Sequence, residues 1–98
     1  MEDQKLIVLA ELTVRPKFIE KVVALSRENI NFSLQEPGCE TFIMTCKRNE
    51  RNVLVFFEIW ASHEALQWHM ERPYAKEFFK KISEKLAKEP ELQFLELR

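Results

Sequence analysis

At 98 residues the chain has room for a single hydrophobic core, so residues 1–98 are expected to form one domain. Apolar residues at 46% and charged residues at 32% fit a folded globular protein and exclude a disordered one. The 15 basic and 16 acidic side chains are interspersed and leave a net charge of −1, so there is no basic stripe for phosphates and nucleic acid is not an expected partner.

The segment Met1 to Lys5 is polar and does not read as a signal peptide, and no apolar run reaches membrane-spanning length. A cytoplasmic location with no membrane partner is expected. Lys5 to Val14 is rich in Leu, Ile and Val and reads as a strand that ends before Pro16. Pro16 then opens a helix in which Phe18, Ile19, Val22, Val23, Leu25, Ile30, Phe32 and Leu34 recur at three- and four-residue steps. That helix is expected to end at Glu36, because Pro37 and Gly38 supply a turn.

Cys39 to Lys47 reads as a second strand and Val53 to Trp60 as a third, joined by a moderately long polar loop. Strict alternation along the second strand puts Cys39 and Cys46 on opposite faces as unbridged thiols. Ser62 is the expected N-cap of the next helix, with Glu64 in its first turn, and Pro73 should interrupt that helix after about three turns. A further helix carries Ala75, Phe78, Phe79, Ile82 and Leu86 on one side, and Leu92 to Leu97 can form a last strand. The order βαββαβ predicts an α+β, ferredoxin-like fold: one antiparallel sheet with helices on one face.

Such a sheet should be polar on its uncovered face if the protomer stands alone. Here Ile7 and Leu9 lie opposite Leu6, Val8, Ala10 and Leu12, and Val53, Val55, Phe57 and Ile59 lie opposite Leu54, Phe56 and Trp60. Each large apolar side chain left in water forfeits about 1.5–3 kcal/mol of possible burial. A second copy packed sheet to sheet is the expected cover, making the protein its own partner in a homodimer, a dimeric α/β barrel.

His69 follows Leu66 by three and Ala65 by four, so it points with its helix's apolar face toward the sheet, as a satisfied core residue or as a polar group facing a cavity. Glu58 and Trp60 share a strand face, and a carboxylate there must find a partner or be protonated. If that face lines a pocket, Glu58, Trp60 and His69 converge, and Tyr74 and Asn29 are further polar groups that can look inward. Any one of them alone is more often a packing residue. His63 and His69 are six apart, about 240° around a helix, so they cannot grip one metal ion together. The single glycine rules out a glycine-rich nucleotide fingerprint. No metal, no cofactor and no nucleophilic triad are expected.

The turn Glu36-Pro37-Gly38-Cys39, the strand end Phe57-Glu58-Ile59-Trp60, and the helix Glu64-Ala65-Leu66-Gln67-Trp68-His69 resemble the antibiotic biosynthesis monooxygenase family. The likeness runs from Lys5 to about Leu86. It implies a pocket between sheet and helices and oxidation of hydroquinones or phenols by O2 alone. By similarity Trp60, His69 and Asn29 match pocket positions. His69 as base and Trp60 as aromatic wall are the expected catalytic residues, and Asn29, Glu58, Tyr74 and Phe78 the expected substrate-binding ones. Many members carry a second histidine where this chain has Tyr74, and haem-degrading relatives use a histidine at the position of Phe79 here, which disfavours haem. Two other functions remain in view: an isomerase of a small signalling ketone, and a dimeric small-molecule binding domain without catalysis. Sequence leaves open whether Phe56, Phe57, Phe78 and Phe79 fill the pocket.

Overall fold

The structure, a computed structural model, describes residues 4–98, so the polar start at residues 1–3 lies outside the described residues. Four strands, β1 (Leu6–Thr13), β2 (Cys39–Lys47), β3 (Glu50–Trp60) and β4 (Glu91–Glu96), form one antiparallel sheet in the order β2-β3-β1-β4. Three α-helices, α1 (Ile19–Ser33), α2 (His63–Met70) and α3 (Pro73–Ile82), complete the βαββαβ order expected of a ferredoxin-like fold. No helix among the described residues is long and apolar enough to cross a membrane.

β1 and β3 pair in the centre of the sheet, with Val8 opposite Glu58, Ala10 opposite Phe56 and Leu12 opposite Leu54. Their side chains, with Val14, Phe42, Trp60, Leu66, Phe78 and Ile82, make the buried core under the helices. The alternation that the sequence predicts for β1 is therefore real, and the even-numbered positions face the helices.

Several local features differ from the sequence reading. The hairpin loop between β2 and β3 is short, because the ladder extends to Lys47 and Glu50 and only Arg48 and Asn49 turn the chain. A register shift between Cys39 and Thr41 adds a residue to β2, so Cys39 pairs with Trp60 and both cysteines face the helices rather than opposite sides. The α2 helix has eight residues, about two turns rather than three, and Pro73 starts α3 as its first residue instead of breaking α2 from within. Ser62 does cap α2, its hydroxyl accepting from the Ala65 N–H at 3.1 Å.

The α1 helix ends at Ser33, three residues before the expected stop, and it is rotated relative to the expected stripe. Val22, Ser26, Asn29 and Ser33 face the core, while Phe32 and Leu34 are nearly half exposed. Small serines let the helix backbone lie close to the sheet. Ser33 offsets its burial by donating to the Asn29 carbonyl at 2.7 Å. Gly38 serves a similar close approach: a Cβ there would stand 2.6 Å from Ala65 Cβ, so this turn seats α2 against the end of β2.

Candidate functional site

Between the sheet and the helices lies a cavity of about 110 Å³. Its floor is Val8, Ala10, Leu12, Phe42 and Phe56, and its roof is Leu66, Met70, Phe78 and Phe79. Glu58, His69 and Asn29 are the polar side chains in its wall. The question of aromatic filling is thus answered by an open chamber with Phe56, Phe78 and Phe79 at its boundary. Phe57 pairs with Leu9 and Ile43 on the opposite face of the sheet. Larger clefts of about 460 and 470 Å³ lie beside α1 and beyond α3, but they are more open to solvent and contain no imidazole.

The cavity is unfinished on one side. Leu92 and Phe94 of β4 border it, and they are 46% and 56% exposed because no helix reaches over that edge strand. At about 110 Å³ the cavity is no larger than a single six-membered ring, since a dry cavity of about 150 Å³ binds benzene. Anything larger must extend across Leu92 and Phe94.

Glu58 stands in the third strand, where the period of two turns it to the core with Phe56 and Trp60. Burial, at 7% exposure, pushes its carboxyl up to about 7, opposed by the Trp60 indole, whose Nε1 donates to Glu58 Oε1 at 2.8 Å. Near neutral pH this group can therefore donate a proton or accept one. Burial also pushes the Cys39 thiol up to about 11, assisted by the nearby Glu58, Glu36 and Glu40, which leaves it a poor nucleophile.

His69 sits in the last turn of α2 and is 3% exposed. Its ring lies against Trp60 with centroids 4.4 Å apart. Nδ1 is 2.7 Å from Glu36 Oε2, and Nε2 has no hydrogen-bond partner among the described residues. The Tyr74 hydroxyl also donates to Glu36 Oε2 and lies 3.3 Å from His69 Nδ1.

The structure therefore brings Glu58, Trp60, His69, Asn29 and Phe78 together, but with different duties from those the spacing suggests. Trp60 is fully buried and backs His69 and Glu58 instead of lining the cavity. Tyr74 lies on the far side of His69, bordering a separate small space of about 80 Å³ between α1 and α3. Asn29 borders both spaces, and its Oδ1 is buried without a partner. A buried amide oxygen left unpaired costs about 1–3 kcal/mol, a cost that a ligand hydroxyl could remove.

Glu36 is the residue that sequence reasoning passed over. It lies in the turn after α1, 33 positions from His69, so no helical or strand period connects them. The signal that could have found it is its place at the head of the Glu36-Pro37-Gly38-Cys39 turn, which carries the family resemblance and seats α2. No group of three or more His, Cys, Asp or Glu side chains among the described residues is arranged to hold a metal ion.

The sequence profile described as antibiotic biosynthesis monooxygenase matches residues 5–81. An uncharacterized protein of Synechocystis sp. is 34% identical over 95 residues, which is 97% of this chain and 65% of that one. The chain thus spans slightly less than two thirds of the length of this curated relative. A conserved protein from Methanosarcina mazei superimposes with a TM-score of 0.93 at 25% identity, covering 97% of this chain and 94% of the other. A crystal structure of an antibiotic biosynthesis monooxygenase superimposes with a TM-score of 0.91 at 22% identity over 95% and 98%, a likeness of fold.

Proposed function

Because this chain belongs to the antibiotic biosynthesis monooxygenase family, we propose that it oxidises a small quinol or phenol with O2 in the cavity beneath its helices. The observation that carries this reading is a buried imidazole with one nitrogen held by a carboxylate and the other unpartnered beside an apolar, ring-sized chamber.

His69 Nε2 takes the phenolic proton, and the Glu36 carboxylate stabilises the imidazolium that results. The phenolate that forms is electron-rich enough to pass one electron to O2. Radical recombination on the ring gives a hydroperoxide, and its O–O bond breaks as water leaves. For a quinol the sum is quinol plus O2 giving hydroxyquinone plus water, with every atom and electron accounted for. His69 returns its proton to the departing oxygen. Glu58, protonated in part near pH 7, donates a hydrogen bond to a substrate oxygen, and Asn29 Oδ1 accepts from a hydroxyl. Phe42, Phe56 and Phe78 clamp the ring and keep water out.

The working form is a homodimer. On the sheet face away from the helices, Ile43, Phe57 and Leu9 form one cross-strand row, and Ile59, Ile7 and Leu95 form another. Ile43 is 50% and Leu95 40% exposed in the lone protomer. Covering these rows with a second copy recovers about 1.5–3 kcal/mol for each large side chain fully buried.

A second reading is favoured by Glu58 and His69 bordering one cavity with a carboxyl near 7. Such a pair suits acid–base proton transfer on a small ketone without O2. Oxygen uptake measured on a panel of single-ring and fused-ring hydroquinones distinguishes the two: consumption dependent on enzyme supports oxidation, and none with any quinol overturns it.

A further inference from the structure

His69 has two ring nitrogens, and a base needs one of them to be a free lone pair. Its Nδ1 lies 2.7 Å from Glu36 Oε2, with both side chains at most 8% exposed. The Tyr74 hydroxyl donates to that same Oε2 and stands 3.3 Å from Nδ1. An ionised carboxylate accepts hydrogen bonds and cannot donate. A lone pair on Nδ1 would therefore set two acceptors face to face in a site with little water, whereas a proton on Nδ1 makes a charge-assisted bond.

We infer that Glu36 and Tyr74 are positioning residues that hold His69 in the tautomer protonated at Nδ1, so that its Nε2 lone pair is presented to the cavity. This rests on the reading of His69 as the base. Three separate segments supply the group. Glu36 comes from the turn after α1, His69 from the end of α2, and Tyr74 from the second residue of α3, where Pro73 fixes the start of the helix.

Each partner has a distinct task. Glu36 selects the tautomer and then lies beside the positive ring once a proton arrives. Tyr74 keeps Glu36 from swinging away, because Oε2 is held between two donors. The Tyr74 ring is itself fixed, 5.1 Å from Phe32 and edge-on to His69 at 5.8 Å. Since Tyr74 borders the small space between α1 and α3 and not the chamber under the sheet, it acts through Glu36 rather than on a ligand.

The test is ¹⁵N NMR of the His69 ring, which reads the tautomer without any substrate. The wild-type protein is expected to show a protonated Nδ1 and an unprotonated Nε2 as the dominant species. Glu36→Gln, whose amide can donate as well as accept, should produce a mixture of tautomers, and Glu36→Asp should restore part of the preference. On a turned-over quinol, Glu36→Gln should lower kcat about 10–100-fold with little change in KM, the scale seen when the partner orienting a metal-ligating histidine is lost. Tyr74→Phe keeps the ring and should shift the resonance of the Nδ1-bound proton, and it carries the test if Glu36→Gln fails to fold. A wild-type ring protonated at Nε2, or a tautomer and proton resonance untouched by these substitutions, overturns the inference. Tautomer control as expected, in a protein that takes up no O2 with any quinol tested, upholds the positioning role and sinks the oxygenase reading instead.

Discussion

The Trp60 indole donates its Nε1 proton to Glu58 Oε1 at 2.8 Å, two positions away on the helix-covered face of β3. That single bond is too little to keep a buried carboxylate ionised at its ordinary range, and burial pushes Glu58 from 4.5 to about 7. Stability should follow. Below pH 4.5 the group is protonated in both the folded and the unfolded chain. As pH rises from 4.5 to 7 the unfolded chain releases the proton first, so stability declines, and above 7 the decline stops.

The full loss is at most about 3.5 kcal/mol. Urea unfolding at several pH values between about 5 and 8 should show it in the wild-type protein, while Glu58→Gln should remove most of this slope. Parallel curves for the two proteins would contradict the burial account of Glu58.

Gly38 is required for space and not for backbone conformation, since its φ is not positive. Gly38→Ala places a methyl 2.6 Å from Ala65 Cβ and should cost about 1–3 kcal/mol in thermal or chemical unfolding. Adding Ala65→Gly should recover part of that loss, so a double-mutant cycle should give a coupling of about 0.5 kcal/mol or more. Simple additivity would mean that the turn and α2 do not meet there.

The uncovered sheet face makes its own test. Phe57 is central in one apolar row, between Leu9 and Ile43, and points away from the chamber. Phe57→Lys should convert the proposed homodimer to a protomer of 11.8 kDa in sedimentation equilibrium, with far-UV circular dichroism retained. A wild-type protein that already sediments at 11.8 kDa would remove the dimer from the account.

Most of the fold was legible because hydrophobic periods of 2 and 3.6 and the prolines punctuate the chain. β2 matches its expected limits at Cys39 and Lys47, and β1 and β3 match to within a few residues. The rest depended on tertiary facts. The bulge between Cys39 and Thr41 is invisible to strict alternation, and it alone moved Cys39 to the helix side. Phe32 and Leu34 look like core residues by type, yet Ser26 and Ser33 take the buried side because a close helix needs small side chains there.

The candidate site divides the same way. His69 and Glu58 were readable from their own elements, since each repeats the apolar period of its helix or strand. Glu36 was not, because a residue in a turn has no period, and its partners lie 33 and 38 positions away. Tyr74 was noticed for its polar tip, but only the packing of α3 against α1 shows that the tip meets Glu36 and not the chamber.

The most direct measurement of the central claim is O2 consumption by the wild-type protein and by His69→Ala with the same hydroquinone, alongside ligand affinity for both. Wild-type protein should consume O2 and yield one hydroxyquinone per O2, and His69→Ala should lose about 10²–10⁴-fold in turnover while still binding the ring. Equal turnover in the folded variant would contradict the assignment of His69 as the base that starts the reaction.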